Sequence, residues 1–150
     1  MSLLLRIHFR LGLWAWARVL PPLAWRRGLE ALVRLTEVGP GAPYRGLAPD
    51  NIARRVKHAT RHPWLMRDRP CLRQGLLAVR FLRLAGYHPV LHFGVDRASV
   101  QRDLLSAHCW VSLDGAVVLN PASPGMVEIL TYAGDRLAPS VPAKTEAAAA

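Results

Sequence analysis

Residues 69–95 read RPCLRQGLLAVRFLRLAGYHPVLHFGV, and after a polar loop residues 106–121 read SAHCWVSLDGAVVLNP. The first stretch opens with an amphipathic helix pattern, in which leucine, valine and phenylalanine recur along one face. Three arginines share the opposite face of this helix: Arg73, Arg80 and Arg83. Pro70 suits the first helical position and Gly86 suits the residue just past the end, so both ends of the helix are predicted.

The residues that follow this helix predict a small antiparallel sheet. Residues 90–95 are strand-like, and a further strand is expected over residues 126–132. Between them, Ala107–Leu113 and Ala116–Leu119 flank the dipeptide Asp114-Gly115, which is typical of a β-hairpin. The pattern predicts an α+β fold with N-terminal helices packed on one side of this sheet.

Cys71 lies at the predicted start of the helix, where its chemistry would differ from that of an ordinary thiol. Free N–H groups and the positive end of the helix dipole stabilise a thiolate there. The same N–H groups can stabilise an oxyanion once a thiolate attacks a carbonyl. His108 lies on a strand that can pack across the helix, so it is the candidate base. Core packing is the other reading of Cys71, because most cysteines are small buried residues.

The chain resembles a known family in the order of these residues, P-C-L-x-x-x-L, then G-Y-x-P-x-L-x-x-G-V, then A-H-x-W-V-x-L-D-G. It is similar to the transglutaminase-like cysteine protease of lasso-peptide biosynthesis, the leader-peptidase part of the B protein. The resemblance covers residues 50–122 well and the N-terminal helical segment loosely. Its most specific elements are Cys71-Leu72, Gly94-Val95, and Ala107-His108 followed by Trp110-Val111.

The resemblance implies a papain/transglutaminase-like core with a Cys-His-Asp triad. Cys71 and His108 match the first two members, whereas the position of the third is occupied by Asn120. Two further departures follow the histidine, since Cys109 and Ser112 replace the usual Ala and Glu. The catalytic set implied for this chain is therefore Cys71, His108 and Asn120.

Side chains alternate along the His108 strand, so His108, Trp110 and Ser112 share one face. Cys109 lies on the other face and is predicted to be a core residue, not a second nucleophile. Trp110 and Leu72 are candidates for lining the substrate cleft, although Trp110 suits plain packing equally well.

Strand geometry favours Asn120 over Asp114 as the third residue. Asp114 follows His108 by six residues on the same strand, which is about 20 Å at the hairpin tip. A two-residue loop would turn the Asn120 amide to the face opposite His108. A three-residue bulged turn closed by Gly115 would put it on the same face. We therefore predict the bulged turn, with the Asn120 side-chain oxygen accepting a hydrogen bond from His108.

The function implied by the resemblance is cleavage of a precursor peptide at its leader–core junction through a thioester. The protease itself needs no cofactor and no metal. A small leader-recognition protein would deliver the precursor, and an asparagine-synthetase-like cyclase that uses ATP would close the ring. Two alternatives are an amidase or acyl transferase with the same triad, and a non-catalytic basic binding module.

The length and the cysteine content bound this interpretation. A chain of 150 residues suits one compact domain. Residues 1–48 would form a helical segment, residues 49–137 the protease core, and residues 138–150 a disordered tail. The two cysteines provide no disulfide framework, and a reactive Cys71 requires a reducing compartment such as the cytoplasm.

The formal charge of +10, carried by 18 Arg and 2 Lys, attracts anionic partners without naming one. Nucleic acid is not expected, because basic and aromatic residues do not interleave. Residues 3–20 form a helix that arginines interrupt, and its uncharged run is far shorter than the ~20 residues that span a bilayer. We expect this helix to pack on the domain. Docking of a partner protein is the alternative, and membrane contact is a third, disfavoured possibility.

Proline and glycine divide the rest of the N-terminal region. Pro21-Pro22 would end the first helix, a second would follow over residues 23–36, and residues 39–49 have the composition of a linker. Asp50 suits the N-cap of a third helix. His58 and His62 near its end are four residues apart, but without a third ligand they are expected to be solvated or capping histidines.

Overall fold

The computed structural model describes residues 3–61, 69–99 and 106–140, and in these ranges it shows an α+β fold. The helices are α1 (Leu3–Arg26), α2 (Leu29–Arg34), α3 (Pro49–Ala59) and α4 (Pro70–Leu84). The strands are β1 (Val90–Asp96), β2 (Ala107–Leu113), β3 (Ala116–Leu119), β4 (Met126–Ala133) and β5 (Arg136–Pro139). They form one antiparallel sheet in the order β3-β2-β1-β4-β5. The predicted fold class is confirmed.

Helix α4 is the central helix of the domain, in contact with β1, β2, α1 and α3. It begins at Pro70 and is followed by Gly86 with a φ of +87°, as predicted. Its leucine-rich face lies on the sheet, and Gly75 allows a close approach there. A Cβ atom at Gly75 would lie 2.7 Å from a methyl carbon of the buried Leu91. This close contact holds α4 against β1.

The arginine face of α4 is less polar than predicted. Arg73 is only 1% exposed, so this side of the helix is also packed within the domain. Arg80 donates hydrogen bonds to the carbonyl groups of Leu35 and Glu37 at 2.8 and 3.0 Å. Arg83 donates to Tyr132 at 3.2 Å. These side chains hold the end of α2 and strand β4 against the central helix.

The helix ends in the N-terminal region differ from the predictions. Helix α1 continues through Pro21-Pro22 to Arg26, because Leu20 and Pro21 are buried and tertiary packing holds a helix that proline would otherwise break. Helix α2 is correspondingly shorter than residues 23–36. Asp50 lies in the first turn of α3, after Pro49, and does not cap it.

The predicted linker is packed against the core through Tyr44. This residue is 3% exposed, and its ring packs against those of Phe9 and Phe81 at centroid distances of 5.1 and 6.0 Å. Its hydroxyl lies 3.1 Å from Nδ1 of His8. Residues 39–49 therefore connect α2 and α3 as an anchored loop.

The predicted strands are confirmed, and β5 adds one that was not foreseen. Its last residues belong to the segment that was predicted to be a disordered tail from residue 138. Leu130 pairs with Pro139, and the Ser140 N–H donates to the Ile129 carbonyl at 3.1 Å. Ordered pairing thus extends to Ser140, and residues 141–150 lie outside the described ranges.

The β2–β3 hairpin contains the predicted bulge at a different place. Asp114 and Gly115 have φ values of +49° and +81° and form a two-residue turn, with Leu113 opposite Ala116. The extra residue follows within β3, because Ser112 pairs with Val117 whereas Val111 pairs with Leu119. The prediction of a three-residue turn was wrong. Beyond the bulge, however, the pairing of Val111 with Leu119 has the same register as the predicted pairing of Trp110 with Asn120.

Two features are absent from the described residues. Within residues 3–61 and 69–84, no helix combines the length and apolar character that crossing a membrane requires. The described ranges also hold no cluster of three His, Cys, Asp or Glu side chains suited to a metal ion. His62 lies outside them, so the His58 and His62 pair stays a prediction.

Candidate active site

The site is built around Cys71, the second residue of α4. The residue before the helix, Arg69, has left-handed dihedral angles, and its carbonyl accepts the Arg73 N–H at 3.3 Å. The N–H groups of Cys71 and Leu72 precede this first helical bond and have no acceptor within the helix. They are therefore the donors available next to the thiol, which is partly exposed.

Strand β2 presents a second thiol directly to Cys71. The Cys109 thiol donates a hydrogen bond to Cys71 Sγ over 3.8 Å, and both cysteines are free. Cys109 is 6% exposed and belongs to the hydrophobic core, as predicted. Its contact with Cys71 was not predicted. Cys109 was assigned to the core face of β2, but no prediction placed the helix that carries Cys71 against that face.

The surroundings lower the pKa of Cys71 from its ordinary value of 9.0 to about 5. The largest cause is the hydrogen bond from the Cys109 thiol, and burial acts in the opposite direction. The Cys109 backbone N–H, the charge of His108 and a hydrogen bond from His108 lower the pKa of Cys71 further. The pKa of Cys109 is raised by its contact with Cys71 and by burial. One proton is therefore held on Cys109 while Cys71 ionises.

His108 is oriented by a backbone carbonyl. Its Nε2 lies 3.1 Å from the Asn120 carbonyl oxygen. Because a carbonyl only accepts, Nε2 must carry the proton, which leaves the lone pair of the neutral ring on Nδ1. The arrangement thus prepares Nδ1 to accept a proton from a neighbouring thiol.

Asn120 contributes to this contact in a way that differs from the prediction. The side-chain oxygen was expected to accept the hydrogen bond, whereas the acceptor is the main-chain carbonyl. Asn120 follows β3 with a φ of +51°, a left-handed conformation that asparagine tolerates better than most residues. This conformation turns the carbonyl toward His108. The Asn120 Nδ2 atom is buried and has no hydrogen-bond partner among the described residues.

The two candidates for the substrate cleft are packed. Leu72 is 7% exposed and belongs to the hydrophobic core. Trp110 lies over Gly94, where a Cβ would approach its ring to 2.8 Å. Its other neighbour is His92, stacked at a centroid distance of 5.3 Å. A cleft role for either residue stays a prediction.

The sequence analysis did not predict a chain of hydrogen-bonded polar side chains on the Trp110 face of the sheet. His92 Nε2 lies 2.6 Å from the Ser112 hydroxyl, and its Nδ1 contacts the Glu128 carboxylate. Ser140 bonds the same carboxylate at 2.6 Å. The chain links β1, β2 and β4 and supports Trp110 through the stacked His92 ring. Strand alternation alone could place Ser112 on this face, but only the pairing register brings His92 and Glu128 to it.

A family model described as the transglutaminase-like superfamily matches residues 3–131. The match includes all the helices of the described ranges, strands β1 to β3 and most of β4. Neither the curated proteins nor the solved structures contain a significant match to this chain.

Proposed function

Because the chain belongs to the transglutaminase-like superfamily, in which cysteine-dependent hydrolysis or acyl transfer is general, we propose that it is a cysteine peptidase. Its substrate would be a ribosomal precursor peptide, cleaved at the leader–core junction during lasso-peptide maturation. The observation that carries the chemistry is the Cys71 thiol beside His108, whose Nε2 is bonded to the Asn120 carbonyl. The motif order around Cys71 and His108 supports the choice of substrate.

The site supports acyl transfer in two steps. Cys71 acts as a thiolate, with the proton held on His108 Nδ1, and attacks the scissile carbonyl carbon. The N–H groups of Cys71 and Leu72 would stabilise the oxyanion, as donors at a helix N-terminus do. His108 then protonates the departing amine, which leaves a thioester on Cys71. Water, deprotonated by His108, hydrolyses the thioester and restores the thiol. No cofactor takes part in these steps.

Delivery of the precursor by a separate leader-recognition protein is part of the proposal. Helix α1 offers a surface for it, since its outer side exposes large apolar side chains: Leu4, Ile7, Leu11, Trp14 and Trp25. Such a patch is typical of a protein-binding surface. Beside it, a cavity of about 570 Å³ between α1 and α3 is lined by Arg10, Arg54 and Arg55. A partner with carboxylates around an apolar centre would complement this surface.

The remaining elements of the proposal concern the cellular setting. Free thiols at Cys71 and Cys109 suit the reducing cytoplasm. An asparagine-synthetase-like cyclase, which uses ATP, would consume the released core peptide. The peptidase therefore acts between precursor synthesis and ring closure.

The test is cleavage of a candidate precursor by the full chain, followed by mass spectrometry. We expect the wild type to release the leader and Cys71→Ala to release none. Cys71→Ser, which keeps the shape of the side chain but loses the easily ionised thiol, is the matched variant and should also be inactive. Circular dichroism of each variant checks that the fold is retained.

Two results would contradict the proposal. The first is normal cleavage by Cys71→Ala. The second is inactivation by iodoacetamide with the label on Cys109 and not on Cys71. Hydrolysis of simple amides without cleavage of any precursor would instead favour an amidase with the same catalytic residues.

A further inference from the structure

The two cysteines of this chain lie next to each other, although 38 positions separate them in sequence. Their sulfur atoms are 3.8 Å apart, one at the start of α4 and one on β2. A disulfide requires a distance of about 2.0 Å, and each sulfur can rotate about its own Cα–Cβ bond to approach the other. The contact joins two elements that pack directly on each other. The site therefore holds a preformed dithiol.

The two thiols differ in access and in protonation. Cys71 is partly exposed and ionises readily, whereas Cys109 is 6% exposed and stays protonated. Oxidants react with thiolates, and they react first with those that solvent reaches. A diffusing oxidant would therefore meet Cys71 first, with Cys109 behind it as a thiol partner within contact distance. This is the usual arrangement of an oxidised and a resolving cysteine.

We propose that Cys71 and Cys109 are a peroxide-modified pair that closes into an intramolecular disulfide. In the first step, the Cys71 thiolate attacks hydrogen peroxide, forming a sulfenic acid and releasing hydroxide. The Cys109 sulfur then attacks Cys71, the S–O bond breaks, and the hydroxyl leaves with the Cys109 proton as water. Peroxide is the oxidant, and each cysteine supplies one of the two electrons. A dithiol reductant returns both cysteines to thiols by thiol–disulfide exchange and is itself oxidised to a disulfide.

The modification has two consequences for the site. It removes the Cys71 thiolate, so any acyl transfer through this residue stops while the disulfide is present. It also protects Cys71, because a sulfenic acid that condenses with a thiol does not proceed to the irreversible sulfinic acid. The inference depends on the pair of thiols and not on the nature of the substrate.

The test uses the full chain treated with hydrogen peroxide, with the products identified by peptide mass spectrometry under non-reducing conditions. We expect the wild type to lose both titratable thiols together and to yield a cross-linked peptide pair with two hydrogen atoms fewer. Dithiothreitol should return both thiols. Cys109→Ala should instead pass from the sulfenic to the sulfinic acid at Cys71, which dithiothreitol does not reverse. Cys71→Ala should leave Cys109 reduced under the same treatment.

Several outcomes would overturn the proposal. One is a wild-type chain whose Cys71 advances to the sulfinic acid as fast as in Cys109→Ala. Another is a disulfide found only between two chains, which gel filtration of the oxidised protein would show. These measurements do not use catalysis, so they are independent of the proposed peptidase. If precursor cleavage is found, the oxidised chain should lose it and regain it with dithiothreitol.

Discussion

The charge state of Cys71 depends chiefly on one neighbouring thiol. Since the pKa of Cys71 is lowered to about 5, the thiolate is the main form at neutral pH and is protonated only below that value. Cys109→Ala removes the largest cause of the lowering, so the pKa should move upward toward 9.0. Thiolate absorbance in the ultraviolet, followed as a function of pH, measures both values.

The rate at which Cys71 is alkylated should fall at acid pH, because protonation removes the reactive thiolate. A wild-type alkylation rate that stays constant down to about pH 5, and a Cys109→Ala rate that falls at higher pH, would agree with the contact described. Equal midpoints for the two proteins would show that the helix terminus and His108 suffice without Cys109.

Substitutions of Asn120 can distinguish a role of its backbone carbonyl from a role of its side chain. The carbonyl that bonds His108 depends on a left-handed backbone, which glycine adopts freely and which costs other residues about 1–2 kcal/mol. Asn120→Gly should therefore keep most of the cleavage rate, whereas Asn120→Ala should lose about tenfold if it moves the carbonyl. Single-turnover rates with excess enzyme provide the comparison.

The cleavage rate of Asn120→Gly decides between the two roles. If Asn120→Gly is as inactive as Asn120→Ala, the amide side chain is the orienting group and the backbone contact is secondary. Asp114→Asn is a useful control at the same hairpin, because Asp114 lies in the exposed turn.

At the level of elements, helix α1 exposes the apolar side that we propose as the docking surface. Replacing Leu11 and Trp25 by serine removes apolar anchors that are 62% and 73% exposed. Loss of interface anchors costs more than ~1 kcal/mol each, so the Kd for a leader-recognition protein should rise on the order of tenfold or more. Titration calorimetry with that protein measures the change.

A matched control is available on the sheet. Ile129 is 48% exposed and lies on β4, so Ile129→Ser removes a similar apolar group from another surface. Equal weakening by both sets of substitutions would indicate that the partner does not dock on α1.

For the molecule as a whole, the local patterns predicted the central elements well. Pro70, Gly86 and the Asp114-Gly115 turn each restrict the backbone by themselves, so the bounds of α4 and of the hairpin could be inferred from sequence. Pro21-Pro22 could not be interpreted in this way, because burial against the core overrides the local preference for a break.

The candidate site was predictable as a set of residues but not as a set of contacts. Cys71 and His108 were identified from chemistry and family resemblance. The contact between Cys71 and Cys109 depends on how a helix lies over a strand, and the Asn120 carbonyl depends on a bulge within β3. Both are properties of pairing register and of packing, which side-chain patterns describe only by face.

The charge is also distributed unevenly over the molecule. Residues 1–61 contain eleven Arg and Lys and three Asp and Glu, whereas residues 62–150 contain nine and seven. The N-terminal helices are therefore the basic part, and Arg55 shows the effect locally. Burial lowers its pKa first, and the nearby charges of Arg10, Arg54 and Arg6 lower it further. An anionic partner would relieve this repulsion.

The order of the site residues along the chain, with Cys71 on α4, His108 on β2 and Asn120 after β3, has a consequence for newly made chains. During translation Cys71 leaves the ribosome before the other two residues of the site. The imidazole arrives later with β2, and the carbonyl that orients it comes after β3. Until the hairpin pairs with β1 and packs on α4, the cysteine has neither base nor thiol neighbour. The catalytic arrangement that we propose is therefore complete only in the finished fold.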